Sequence, residues 1–189
     1  MDVDDLRAIL AGSLAQDPRP QAPPGDRLAG VMVPILVGPE PAVVFTRRTA
    51  HLSRHAGEIS FPGGLQDPGE RHVLDTALRE TSEELGIPPS AFDVLGALAP
   101  VHTTVSGILI VPFVGMLALR PTLTPNAEEI AEVLEFPVRR LIEAEAEVEV
   151  PRGDRIYRGF AYGMEGHTIW GATARILHQL IEILRRRSS

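Results

Sequence analysis

The stretch Gly63 to Ile87, GGLQDPGERHVLDTALRETSEELGI, constrains the fold more than any other part of the chain. No Gly or Pro interrupts Val73 to Leu85, where Leu74, Leu78, Thr81 and Leu85 recur at spacings of four, three and four. At about 100° per residue this is one face of an α-helix, and Glu80, Glu83 and Glu84 gather on the face opposite. Gly86 suits the left-handed position after a helix, and Pro88 and Pro89 cannot continue it. Three like charges at i, i+3 and i+4 destabilise an isolated helix by roughly a few tenths of a kcal/mol per pair. A divalent cation reverses that sign, and carboxylate oxygens are the ligands that hard ions prefer. Glutamates on a helix also read as a solvated acidic face, with Arg79 paired to Glu83. The order of the run favours the metal reading, because Pro62, Gly63, Gly64, Pro68 and Gly69 supply a loop before the helix and Glu70 lies within reach of it.

This run resembles the Nudix box, G-x5-E-x7-R-E-U-x-E-E-x-G-U with U apolar. It departs from the pattern in two places. Gly64 to Glu70 has the usual spacing, but eight residues separate Glu70 from Arg79, and Thr81 stands where an apolar residue is usual. The extra residue is similar to the coenzyme A diphosphohydrolase branch, which Phe61-Pro62-Gly63-Gly64, Asp67, Glu70 and Thr76-Ala77-Leu78-Arg79-Glu80 also match. That branch has a further signature upstream, L-L-T-x-R-[SA]-x3-R-x3-G-x3-F-P-G-G. Thr46, Arg48 and Gly57 match it in register, while Phe45, Thr49 and Ser53 do not, and Arg54 lies one residue past the second arginine position.

The resemblance implies an α/β Nudix fold, a mixed β-sheet sandwiched between helices in α/β/α layers. It implies hydrolysis of a nucleoside diphosphate linked to another moiety, here coenzyme A or a derivative, cut to 3′,5′-ADP and 4′-phosphopantetheine. By position Glu80, Glu83 and Glu84 would hold Mg²⁺ or Mn²⁺, with the Gly64 carbonyl a further ligand and Gly63 and Gly64 lining the substrate loop. Arg79 would orient Glu83 or its neighbours, and Glu70 would anchor the loop to the helix. Glu80, Glu83 and Glu129 stay open as the general base, and Glu129-Ile130 resembles a Glu-Val pair of this branch. Glu128 and Glu129 equally read as surface charge. Arg48 and Arg54 are candidates to bind substrate phosphates through bidentate hydrogen bonds, or else are surface arginines lying over apolar residues. His51 and His55 order their loop, since imidazole is softer than this oxygen-rich site suits.

With no cysteine, thiolate chemistry and disulfides are excluded. A net charge of −7 argues against a nucleic-acid surface. All 18 basic residues are arginine, so no lysine is present for Schiff-base chemistry. No apolar run is long enough for a membrane span and the N-terminus lacks a signal-peptide pattern, so a cytoplasmic protein is expected.

Residues 1–25 read as an amphipathic helix with Leu6, Ile9, Leu10 and Leu14 on one side, then a proline-rich linker. Residues 26–189 read as a single domain. Ala29–Val37 and Ala42–Arg47 suggest a hairpin across Gly38-Pro39-Glu40-Pro41. Phe92–Leu98 and Ile108–Leu119 read as strands, the second with a bulge or edge at Pro112. Asn126–Val138 is ambiguous, and a short helix starts at Pro137. Ala146–Val150, Arg155–Arg158 and Phe160–Met164 read as closing strands separated by Gly-containing turns. A last helix, Gly171–Arg187, carries Ala172, Ile176, Leu180 and Ile183 on one face. The apolar faces of the two terminal helices leave room for a homodimer.

Overall fold

A computed structural model describes residues 3–50, 57–103, 106–152 and 155–186. The frame is a mixed sheet in which β1 (Arg27–Leu36) runs parallel to β7 (Ile108–Leu117), paired from Arg27↔Ile108 to Leu36↔Leu117. Both strands are buried on two faces, which is why they read as nearly unbroken apolar runs. The expected hairpin is present, but β1 touches β2 (Ala42–Arg48) only at Ile35↔Val43 and Leu36↔Ala42 before the two splay apart. Into that gap run β3 (Ile59–Ser60), paired to β2, and β4 (Gly63–Leu65), paired to β1. The other side of β2 takes β8 (Ile130–Pro137), which resolves the ambiguous segment as a strand, and α3 (Val138–Ala144) follows it. Beyond β7 lie β5 (Phe92–Ala97) and β6 (Val101–Thr103), end to end.

Pro112 is inside β7 rather than at an edge, and the bulge is in its neighbour, between Val94 and Gly96. The Pro112 carbonyl accepts from Leu98 N at 2.9 Å. In a strand a residue's N and O point to the same side. The N–H that proline lacks therefore faces the break between β5 and β6, where little ladder is lost. Strand β7 also stops at Leu117, and Leu119 is 85% exposed.

Helix α2 (Val73–Leu85) covers one face of the sheet, with Met32, Val111 and Phe113 beneath its start and Leu36, Val44 and Leu117 beneath its end. The other face is covered by α1 (Val3–Ala11) and α4 (Gly171–Arg186), whose Leu6, Leu10, Leu177 and Leu180 join Val33, Ile35, Phe45 and Val114 in the largest core cluster. The apolar faces that left room for a homodimer are thus covered within one chain. Burying one such leucine contributes roughly 1.5–3 kcal/mol. Among the described residues, no helix is long and apolar enough to cross a membrane.

The closing strands are two rather than three before the last short one. Strand β9 (Glu145–Arg152) pairs with a continuous β10 (Arg155–Met164), in which Gly159 faces Val148 without a turn, and β11 (His167–Ile169) completes a separate three-stranded sheet. It is joined to α4 by Glu145, whose carboxylate accepts from Tyr162 Oη at 2.5 Å, lies 3.0 Å from His178 Nδ1 and pairs with Arg185.

Helix α2 lies so close to β1 because position 30 has no side chain. A Cβ on Gly30 would come 2.3 Å from the Val73 carbonyl oxygen and 3.0 Å from Ala77 N. Backbone atoms cannot yield as a flexible side chain can, so Gly30→Ala must push the helix off the sheet. We expect a loss of about 1–3 kcal/mol, the usual cost of overpacking a core, measured by urea unfolding. A wild-type midpoint for this variant would show that the helix has room to shift.

Candidate active site

The helix α2 buries a different stripe from the one its leucines mark. Val73, Thr76, Ala77, Thr81, Glu84 and Leu85 are buried, whereas Leu74 and Leu78 are only partly so. The buried row is rotated about a quarter turn from the leucine row, because α2 meets β4 as well as β1. This corrects the expectation that all three glutamates face away from the core. Glu83 is exposed at the rim, Glu80 is mostly covered, and Glu84 is only 4% exposed.

Gly64 makes room for this arrangement. A Cβ there would fall 2.4–2.6 Å from the carboxylate atoms of Glu80, so any side chain at position 64 would occupy the space of that carboxylate. The loop between β4 and α2 is tied down by Glu70. Its carboxylate accepts from Asp67 N at 2.9 Å, Thr76 Oγ1 at 2.6 Å and Arg79 Nε at 2.9 Å. Burial alone would raise the Glu70 pKa, but these donors outweigh it and hold the group below its ordinary value.

Arg79 turns that anchor into a clamp. While Nε is held by Glu70, Nη1 donates to Glu80 Oε1 at 2.8 Å and to Glu83 Oε2 at 3.0 Å, and Nη2 lies 3.4 Å from Asp67. One guanidinium therefore spaces two carboxylates that would otherwise repel. The third, Glu84, has Arg48 Nη1 at 3.8 Å and the Gly63 amide as a donor, but its Oε2 is buried with no hydrogen-bond partner. Burial pushes the Glu84 carboxyl up to about 8, Arg48 opposes the rise, and the charges of Glu80 and Glu129 add to it. Burial likewise raises Glu80, against the pull of Arg79 and with the repulsion of Glu83 and Glu129.

The structure thus brings together Glu80, Glu83, Glu84, Arg79, Gly63, Gly64, Arg48 and Glu129. Arg54, His51 and His55 lie outside the described residues. Glu129 arrives from the turn before β8, and its charge acts on both Glu80 and Glu84. One contributor escaped the sequence reading, Gly30, signalled by a lone glycine inside an apolar strand; Thr76 enters that reading only as part of a motif, and its hydroxyl on Glu70 fixes the start of α2.

The donor set is all oxygen, which suits a hard divalent cation. Among the described residues no three acidic or imidazole groups already enclose one point, since Arg79 draws Glu80 and Glu83 toward itself. The orphaned Glu84 oxygen is the atom that fits a cation: a buried carboxylate without a partner is expensive, and an ion beside it removes that cost.

The raised Glu84 value fixes a sign. Its contribution to stability is fully present below its unfolded value near 4.5 and is lost as pH rises through about 8. In metal-free buffer, Glu84→Gln is therefore expected to melt above wild type at pH 9, with the difference shrinking toward pH 5. Equal melting curves at pH 9 would mean that Glu84 is not desolvated.

The NUDIX domain model matches residues 26–159 of the chain. A protein of Photorhabdus laumondii named "Uncharacterized Nudix hydrolase NudL" is 39% identical over 159 residues, covering 83% of this chain and 84% of that one. Among solved structures, the MutT protein from Methanosarcina mazei matches with a TM-score of 0.57 at 14% identity, over 90% of this chain and 99% of that one. The NUDIX domain of Shewanella oneidensis NrtR, complexed with ADP ribose, matches with a TM-score of 0.56 at 16% identity over 100% of each chain. These two likenesses are of fold alone. The domain match and the bacterial relative, on a chain whose glycine loop, helix and acidic cluster lie where the Nudix box puts them, establish that it belongs to the Nudix hydrolase family.

Proposed function

We propose that the chain hydrolyses the diphosphate bond of coenzyme A or a derivative, in the presence of Mg²⁺ or Mn²⁺, to 3′,5′-ADP and 4′-phosphopantetheine or its acyl form. The observation that carries the hydrolytic part is the buried, unpartnered Glu84 oxygen beside Glu80, with Arg48 at 3.8 Å from the same carboxylate. Glu80, Glu83 and Glu84, with the Gly64 carbonyl, would hold the ion. Bound there, it would neutralise diphosphate oxygens and acidify and orient the attacking water.

The chain's own groups supply the rest. Arg79, held by Glu70, fixes the spacing of Glu80 and Glu83. Arg48 and Arg54 take phosphate oxygens, Arg48 from the end of β2. Glu80, Glu83 and Glu129 are the candidate carboxylates to take the water proton, and the one that takes it is the one whose replacement removes the acidic limb of the pH profile, where protonation of the base slows the reaction. The substrate part rests on sequence: Thr46, Arg48 and Gly57 before Phe61-Pro62-Gly63-Gly64, and the extra residue between Glu70 and Arg79. The anionic 3′-phosphate of coenzyme A complements arginines in that loop.

The test is to incubate the protein with Mg²⁺ or Mn²⁺ and, separately, coenzyme A, ADP-ribose, NADH and dinucleoside polyphosphates, separating products by chromatography. The expected result is 3′,5′-ADP from coenzyme A. Changing a residue that only supports a metal ligand costs about 10–100-fold, so Glu84→Gln should lose at least that much turnover while remaining folded. Cleavage of ADP-ribose alone would discard the reading of the arginine loop and keep the cation site. Hydrolysis of nothing would favour a nucleotide-binding regulator instead.

A further inference from the structure

Outside the glycine loop and α2, one short turn touches several parts of the site at once. Asn126 to Ile130 forms it: the Asn126 carbonyl accepts from Glu129 N at 3.0 Å and Ile130 N at 2.8 Å, and its side-chain Oδ1 accepts from Glu128 N at 3.1 Å. On one side the turn is fastened to the end of α2. Asn126 N donates to the carbonyl of Glu84 at 2.9 Å and Thr124 N to that of Leu85 at 2.9 Å. Gly86 follows in a left-handed conformation with φ of 72°, and a Cβ on it would strike Thr124 Oγ1 at 1.9 Å. On the other side the turn is fastened to the end of β2 next to Arg48: Thr49 N donates to the Glu129 carbonyl at 2.8 Å and Thr49 Oγ1 to the Glu128 carbonyl at 3.1 Å.

The turn is thus held between the backbone of Glu84 and the neighbour of Arg48. The remaining polar atom of Asn126, Nδ2, donates to Glu129 Oε1 at 3.4 Å. An amide donor there steadies the Glu129 carboxylate, whose charge acts on both Glu80 and Glu84. We propose that Asn126 is a positioning residue, which fixes Glu129 beside the Glu80–Glu84 pair and so sets the affinity of the site for a divalent cation. This rests on the cation-site reading under Proposed function, but not on the identity of the substrate.

Serine separates this from a merely structural role. Asn126→Ser keeps a side-chain oxygen that can cap the turn, as serine does at helix starts, but cannot reach the Glu129 carboxylate. Asn126→Ala loses both. Mn²⁺ affinity is measured without substrate, by the loss of the free-ion electron paramagnetic resonance signal, on wild type, both variants, Glu129→Gln and the double variant Asn126→Ser/Glu129→Gln, alongside thermal unfolding. We expect both Asn126 variants to bind Mn²⁺ about tenfold more weakly, the usual cost of losing an outer hydrogen bond that orients a carboxylate at a metal site. Asn126→Ser should melt close to wild type, and it should add no loss in the Glu129→Gln background, since both changes act through one carboxylate.

Wild-type affinity in Asn126→Ser, or losses that multiply in the double variant, would overturn the proposal. So would an affinity that merely follows the melting temperature across the variants. Absence of Mn²⁺ binding to wild type would overturn the cation-site reading and this proposal with it. Intact Mn²⁺ coupling with no cleavage of coenzyme A would leave the proposal standing and remove only the substrate assignment.

Discussion

The contact of α2 with β1 and β4 places a carboxylate where water does not reach. Glu84 is on the helix row that includes Val73 and Ala77, and Gly30 lets that row approach the sheet closely. An ionised carboxyl in such a place is costly unless a positive charge or several donors compensate it. Arg48 at 3.8 Å and the Gly63 amide compensate in part, and the upward displacement of the Glu84 pKa measures what they leave undone. The geometry that makes the fold compact is therefore also the geometry that buries the Glu84 carboxyl and leaves one of its oxygens without a partner. Much of the remaining site holds its neighbouring carboxylates in place.

Charge repulsion among neighbouring carboxylates would scatter them if nothing held them. Here Glu70 is the fixed point. Three donors hold it to the loop and the helix start, and through Arg79 it reaches both Glu80 and Glu83. Its depressed pKa means that this network contributes stability above the ordinary carboxylate range and loses it in acid. The clamp and the orphaned Glu84 oxygen are complementary: one spaces the outer carboxylates, the other leaves a buried acceptor without a hydrogen-bond partner beside them. Both are preorganised by backbone that has no room for a side chain, as at Gly64.

Sequence made the helix, its glycine stop and the loop before it readable, because glycine, proline and helical period act locally. It also placed Glu80, Glu83, Arg79, Gly64 and Arg48 near one another. It misjudged Glu84, since a helical wheel built on leucines cannot tell that a second strand, β4, will cover the flank of α2. Pro112 misled for a similar reason: the break between β5 and β6 that accommodates it is a property of two other segments. The parallel pairing of β1 with β7, and the way β1 and β2 splay to admit β3 and β4, depend on contacts between distant residues and leave no periodic mark. Within the turn at Asn126, Glu129-Ile130 gave a sequence signal, but Asn126 itself gave none. The turn's importance comes from the carbonyls of Glu84 and Leu85 that it meets.

In the proposed site, a desolvated Glu84 carboxyl is the acceptor for a divalent cation. Isothermal titration of Mn²⁺ into the protein at pH 7, repeated in buffers of different ionisation enthalpy, counts the protons released per ion bound. With the Glu84 value pushed up to about 8, that carboxyl is mostly protonated in the free protein at pH 7, so close to one proton should leave as the ion enters. The release should disappear in Glu84→Gln. Binding without proton release, or the same release in that variant, would contradict the account.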